Sequence, residues 1–261
     1  MLATLILIGC GDGGDGRQGI IERNVGAGAQ IILPSPIPAR NVKIELKNEI
    51  NRDFDSLGNL NYLGELINTG GDPACFVKIV IDSMNASGEL IGSDSIYVYG
   101  STLSVGSAEA DSCLNPGEAG GFQISTSQKS IPASASITIN WDADNISPPA
   151  VPPSQVVLDG SITESIDFYG DMTLNGFVKN RSAQTLNFVK VTFVALKNGT
   201  VVNTHSSAIN GSLCDSTGAC LFPEGAGSFQ VNFEMPPSEI DRFYYKINYT
   251  VLDEGDDPLL P

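Results

Sequence analysis

The feature that most restricts how this chain can fold is that one run of blocks occurs in it twice. Gly64-Glu65-Leu66-Ile67-Asn68 has its counterpart in Gly176-Phe177-Val178-Lys179-Asn180. Phe76-Val77-Lys78-Ile79-Val80-Ile81 has its counterpart in Phe188-Val189-Lys190-Val191-Thr192-Phe193, at the same offset of 112 residues. Cys113-Leu114, Pro116-Gly117 and Gly121-Phe122-Gln123-Ile124 return as Cys220-Leu221, Pro223-Glu224-Gly225 and Ser228-Phe229-Gln230-Val231, with the offset reduced to 107. Ile139-Asn140-Trp141 matches Ile247-Asn248-Tyr249. The slip in offset predicts a loop that is shorter in the second copy. Two copies of one unit share one fold, so an element assigned in one has to hold in the other.

Almost every block reads as strand. Val42-Lys43-Ile44-Glu45-Leu46-Lys47 alternates apolar and charged residues, as a sheet with one wet face requires. Lys78-Ile79-Val80-Ile81 and Lys190-Val191-Thr192-Phe193-Val194 are β-branched and aromatic, and Gly88 and Asn198-Gly199 supply turns between flanking strands. Helical periodicity with caps is hard to find. Short strands in a unit of roughly 105 residues, punctuated by Pro and Gly, predict a β-sandwich of about the size of an immunoglobulin domain. The fold expected is all-β, with two tandem immunoglobulin-like β-sandwich domains after an extended N-terminal tether.

The punctuation between copies sets the domain limits. Residues 11–40 are rich in Gly, Asp and Pro, from Gly11-Asp12-Gly13-Gly14-Asp15-Gly16 to Pro34-Ser35-Pro36-Ile37-Pro38, a composition that stays extended. Residues 147–154, Ser147-Pro148-Pro149-Ala150-Val151-Pro152-Pro153-Ser154, are stiff in the polyproline sense and mark a linker. Domain 1 is therefore expected over 41–146. Domain 2 is expected over 155–261, ending in an acidic tail.

The repeated pattern resembles the bacterial FxLYD-type domain, an immunoglobulin-like module of exported proteins. The shared features are a strand ending in Gly-x-Val-x-Asn (Gly176 to Asn180), a Val-x-Val strand (Val189 to Val191), and the Asn198-Gly199 turn. A Pro-Gly-Glu segment (Pro116-Gly117-Glu118 in the first copy) then precedes a Phe-x-Val strand (Phe229 to Val231). The Tyr-Asp of the name-giving strand is absent from both Phe193-Val194-Ala195-Leu196-Lys197 and Ile81-Asp82-Ser83-Met84-Asn85. The resemblance implies a fold and little about activity, since one scaffold serves many hosts.

Residues 1–10 form an apolar run ending in Leu7-Ile8-Gly9-Cys10. The run is far shorter than the roughly 20 residues a membrane span needs. It resembles the lipobox of bacterial lipoproteins, in which the cysteine is acylated and becomes the mature N-terminus, although no Lys or Arg precedes it here. The resemblance implies lipid attachment at Cys10, a membrane anchor of several acyl chains, and a place in the bacterial cell envelope. Gly11 is not the acidic residue that resembles an inner-membrane retention signal, so the outer membrane, periplasmic or surface-exposed, is expected over the inner.

Charge and cysteine content narrow the chemistry. Thirty acidic residues against 14 basic give a net charge of -16, which repels nucleic acid and excludes it as the expected partner. Beyond Cys10, four cysteines remain: Cys75, Cys113, Cys214 and Cys220. With one histidine and no Cys-x-x-Cys they do not make a zinc site, whereas an exported chain meets an oxidising compartment in which disulfides persist. A Cys75–Cys113 bridge would tie a strand to the long connection, contributing about 4 kcal/mol in the chain-entropy model. A Cys214–Cys220 clip would contribute about 2.

Catalytic residues do not stand out. His205, in Asn203-Thr204-His205-Ser206-Ser207, reads as a solvated strand residue and not as the base of a triad. No spacing singles out a carboxylate pair of the glycosidase kind. Trp141, matched to Tyr249, reads as a core or strand-face aromatic. No phosphate-binding glycine motif occurs in a strand-to-helix context. Metal ligation is not expected; the weak calcium candidates are Asp142 and Asp144 beside the linker and Asp253, Asp256 and Asp257 near the end. The six Asn-x-Ser/Thr triplets follow from the abundance of those residues. The function expected is a lipid-anchored cell-envelope binding or scaffold protein without catalytic activity, contacting an envelope or surface protein through sandwich-end loops and sheet edges. The alternative is a subunit of an extracellular fibre assembled by β-strand addition, self-associating through sheet edges or through the apolar segment 30–33, Gln30-Ile31-Ile32-Leu33.

Overall fold

The computed structural model describes residues 40–106, 108–215 and 218–252, with the backbone alone at 213–215, 218 and 219. Cys10, the apolar segment 30–33, almost all of the expected tether, and Asp253, Asp256 and Asp257 lie outside the described residues. Every long element that is described is a strand; the only helical pieces are two single 3₁₀ turns, Pro153–Gln155 and Pro237–Glu239.

The first copy comprises β1 (Ile44–Leu46), β2 (Asn51–Phe54), β3 (Leu60–Asn68), β4 (Cys75–Met84), β5 (Leu90–Tyr97), β6 (Ser101–Val105), β7 (Ala108–Cys113), β8 (Ala119–Ser125), β9 (Ser134–Asp142) and β10 (Ile146–Ser147). The second comprises β11 (Val156–Leu158), β12 (Thr163–Ile166), β13 (Met172–Asn180), β14 (Leu186–Lys197), β15 (Thr200–Ala208), β16 (Ser212–Asp215), β17 (Gly218–Cys220), β18 (Ala226–Asn232) and β19 (Arg242–Val251). All pairings are antiparallel.

Both copies have one topology. In the first, β3 is flanked by β1 and β2 on one side and by β8 on the other, while β4 lies between β5 and β9. In the second, β13 lies between β11 with β12 and β18, and β14 between β15 and β19. Each pair of sheets forms a β-sandwich, so the fold is all-β as the alternation predicted. One flank of each sandwich is closed by a bridge, Tyr99 to Gly121 and Asn210 to Ser228. The offset slips mainly at the hairpin that follows, because β16–β17 is shorter than its counterpart β6–β7.

The repeated residues have physical reasons. Gly64 and Gly176 sit under an aromatic ring, so a Cβ there would lie 2.7 Å from Phe122 Cζ and 2.6 Å from Phe229 Cζ. Those rings occupy the centres of the two cores, packed with Leu60, Tyr62 and Ile79 in one and Leu174, Val191 and Phe193 in the other. Asn68 and Asn180 end their strands fully buried and their amides bond loop carbonyls, with Phe222 O at 3.2 Å a third for Asn180. Asn68 Nδ2 donates to Asp72 O (2.8 Å) and Leu114 O (2.9 Å); Asn180 Nδ2 donates to Gln184 O (2.7 Å) and Leu221 O (2.9 Å). Phe76 and Phe188 are matching β-bulges with φ of 50° and 49°, a left-handed conformation that re-aims each ring outward and leaves Val77 and Val189 buried.

Cys75 and Cys113 form a disulfide between the start of β4 and the end of β7. In the second copy Asn187 occupies the place of Cys75, so the bridge is not repeated there. Cys220 is nevertheless disulfide-bonded; the side chain of Cys214 lies outside the described residues. The Pro-rich connection is more than a spacer, because Val151 is buried in the second core and its carbonyl accepts a 2.7 Å bond from Tyr249 Oη.

Candidate binding surfaces

The two sandwiches pack within one compact unit, and the junction between them carries most of the interesting polar chemistry. β3 alternates like any strand, yet both of its faces are buried. Its outward side, with that of β8, rests on the outward face of β14, β15 and β19. Leu63, Val194 and Val201 form a small apolar centre with Tyr244 beside it. Gly121 makes room for Val194, whose Cγ2 would stand 2.6 Å from a Cβ at that position.

Around this centre lie bonds that join the copies. Tyr244 Oη donates to Glu65 Oε1 at 2.9 Å, and Lys47 Nζ reaches the same oxygen at 3.0 Å. Burial, then the neighbouring Glu65 carboxylate, pushes the Tyr244 phenol far above its ordinary range, which keeps it protonated as the donor. Lys246 pairs with Glu118, and Lys190 with Asp111. Asn48 and Asn51 donate to Gly199 O and Val201 O, both at 3.1 Å, and Thr204 N donates to Gln123 Oε1 at 3.0 Å. Asn248 Nδ2 donates to Gly100 O at 2.9 Å.

These groups occur only at the junction. The first-copy counterparts of Val194, Tyr244 and Lys246 are Asp82, Ser136 and Thr138, and the second-copy counterparts of Leu63 and Gly121 are Asn175 and Ser228. The matching positions on the two outermost faces are thus polar or small, although Phe177 and Tyr97 stand exposed there.

Burial works to raise the pKa of Glu118, but the Lys246 ammonium, with hydrogen bonds from Ser101 and the Asn115 backbone, outweighs it and holds the carboxyl below the usual range. A depressed acid adds stability that is complete above its unfolded value of about 4.3 and is lost as pH falls through the lower folded value. Thermal melts between pH 7 and pH 3 are therefore expected to lose stability below about pH 4, and Lys246→Met to flatten that part of the curve.

Beside the junction lies an open cleft of about 290 Å³, lined by Glu109, Asp111, Phe188, Lys190, Asn248 and Thr250. Its charges serve structure: Asp111 pairs with Lys190, and Glu109 Oε2 accepts Val251 N at 2.9 Å. The predicted candidates do not converge here. His205 is exposed on β15. Asp142 and Asp144 stand in a turn in which Asp142 Oδ1 accepts Asp144 N at 2.8 Å, and no group of three or more potential metal ligands occurs among the described residues. Trp141 lies on the strand face, 40% exposed, whereas Tyr249 is 3% exposed.

Two exposed features remain. The turn between β12 and β13 holds Phe168 and Tyr169, 96% and 84% exposed, ring edge to ring face at 5.5 Å. Asp167 Oδ1 fixes this turn by accepting Tyr169 N and Asp171 N, as Asp55 does for Leu57 N and Asn59 N in the first copy. Sequence reasoning missed this tip, although an aromatic pair between two aspartates before Gly170 was legible as a turn. The second feature is β9, the last strand of its sheet, which pairs only with β4 among the described residues.

No family model matches the chain, and no curated protein does. Among solved structures, a red sea bream transglutaminase matches at 9% identity and a TM-score of 0.21, over 82% of this chain and 31% of its own. The chain spans about a third of that protein's length.

Proposed function

We propose that this chain is a lipid-anchored cell-envelope binding or scaffold protein without catalytic activity, built on two FxLYD-type immunoglobulin-like modules. The observation that supports this most is the junction. Glu65, Tyr244, Glu118 and Lys246 hold two sandwiches as one body, which presents the aromatic tip and the sheet edges at set positions for a protein partner. Buried and half-buried polar groups of the junction thus serve to join the domains. Leu7-Ile8-Gly9-Cys10 supplies the anchoring signal, with the outer membrane as the expected site.

Labelled palmitate fed to cells expressing the full chain tests the anchor. Incorporation is expected in the wild type and is expected to vanish in Cys10→Ala. An unmodified mature N-terminus in the wild type overturns the reading.

The edge of β9, unpaired among the described residues, favours a second reading, a structural subunit of an extracellular fibre assembled by strand addition. Electron microscopy of purified protein distinguishes the two, because ordered polymers support the fibre and monodisperse particles oppose it.

A further inference from the structure

We propose that β9 is the acceptor edge of that fibre contact, and that its occupant is a strand from a second copy of this chain centred on Ile31-Ile32-Leu33. This inference rests on the fibre reading and names its interface.

The acceptor side is read from β9 itself. Ser134-Ala135-Ser136-Ile137-Thr138-Ile139-Asn140-Trp141-Asp142 contains no Pro, Gly, Lys or Arg, the residues with which exposed edges are ordinarily blunted. All nine residues are exposed or half-buried. Ile139 pairs across the sheet with fully buried Ile79, so the alternate residues Ile137, Ile139 and Trp141 lie on the inward side of the strand. Ile137 is 42% exposed even so. An inward apolar row with Ile137 and Trp141 exposed, on a strand whose outer backbone edge is unpaired among the described residues, is the shape that one further strand would complete.

The second copy shows how the fold treats the same place when it is covered. There β19 is the counterpart of β9. The hairpin β6–β7 of the first copy lies against it, with Asn248 bonded to Gly100 O and Val251 N bonded to Glu109. Tyr249, the counterpart of Trp141, is capped by Val151, a β-branched residue from the segment that precedes the domain. An apolar residue from upstream of the domain is thus the cover this flank accepts.

Between Cys10 and Val42 the longest aliphatic run is Ile31-Ile32-Leu33, bounded by Ala29-Gln30 and Pro34. In an extended strand Ala29, Ile31 and Leu33 share one face, the side that would meet Ile137, Ile139 and Trp141. Pro34 then ends the pairing, since it has no N–H to donate. Each copy carries one donor and one acceptor, so the contact is head-to-tail and open-ended. Like charges on copies of net charge -16 oppose it, so assembly is expected to strengthen with added salt.

The test uses the full chain carrying Cys10→Ser, followed by light scattering after size exclusion and by negative-stain microscopy. Wild-type donor and acceptor are expected to give salt-promoted polymers. Ile137→Lys blocks the acceptor with an inward lysine at an exposed site, Trp141→Lys does the same independently, and Ile31→Asp with Leu33→Asp blocks the donor. Each blocked chain is expected to be monomeric with an unchanged thermal midpoint. A mixture of one acceptor-blocked and one donor-blocked chain is expected to stop at a one-to-one dimer. Polymers that persist in both acceptor variants overturn the β9 assignment and leave the fibre reading standing. A wild-type chain that stays monomeric at high concentration and high salt overturns both.

Discussion

Replacing Cys75 and Cys113 together by alanine is expected to lower the stability of the first sandwich by about 4 kcal/mol, the chain-entropy value for a loop of this length. The bridge spans 38 residues and joins two positions that are fully buried. It ties the hairpin β6–β7 to β4, and that hairpin meets β19 across the junction, so the loss should spread beyond the first copy. Urea titration of the double variant measures it, with the first sandwich followed by Trp141 fluorescence and both sandwiches together by far-ultraviolet dichroism. Reductant acts on Cys220 as well, so the genetic variant isolates the Cys75–Cys113 contribution. A midpoint unchanged within error would show that native contacts alone hold the hairpin.

Asn180→Ala is expected to cost about 2–4 kcal/mol, from one buried donor left unpaired and several further hydrogen bonds lost. Asn180 Nδ2 donates to Leu221 O and Gln184 O, while Oδ1 accepts from the backbone and the hydroxyl of Ser182. Alanine keeps the strand but leaves Ser182 N without a partner, a loss of about 1–3 kcal/mol, whereas Leu221 O keeps Leu186 N and Gln184 O keeps the Ser182 hydroxyl. Asn68→Ala should act likewise in the first copy, where the same amide bonds Asp72 O and Leu114 O. Asn175→Ala, on the same strand but facing outward, is the control and should change stability by no more than about 0.5 kcal/mol. Equal effects of Asn180→Ala and Asn175→Ala would mean that the buried amide is not the pin that the geometry makes it.

Much of this architecture was readable from residues. The matched glycines, Gly64 and Gly176, the strand-ending asparagines and the Phe-Val-Lys bulges all recur at their offsets because each meets a local demand: a ring overhead, two carbonyls to satisfy, a left-handed residue. Alternation over Val42-Lys43-Ile44-Glu45-Leu46-Lys47 predicted a one-sided strand, and there Ile44 is buried while Leu46 is 36% exposed. The candidate surfaces were less legible. Loops at the sandwich ends are the expected contact surfaces and the Phe168-Tyr169 tip is such a loop, but its first-copy counterpart, Ser56-Leu57, carries a single apolar residue, so the repeat does not point to it. Trp141 was legible as an aromatic of the last strand, but its exposure depends on whether anything covers that flank.

By itself the sequence determined the strand content, the duplication, the turns and the residues that pin each core, because these depend on neighbours close along the chain or on a period of two. Tertiary structure alone decided which outward faces are wet. Glu65 and Tyr244 lie 179 residues apart and meet at 2.9 Å, and nothing in the alternation of β3 separates Leu63 facing a second domain from Leu63 facing water. A strand's periodicity tells inside from outside; it does not say what lies outside, because that is settled by side chains that only folding brings together.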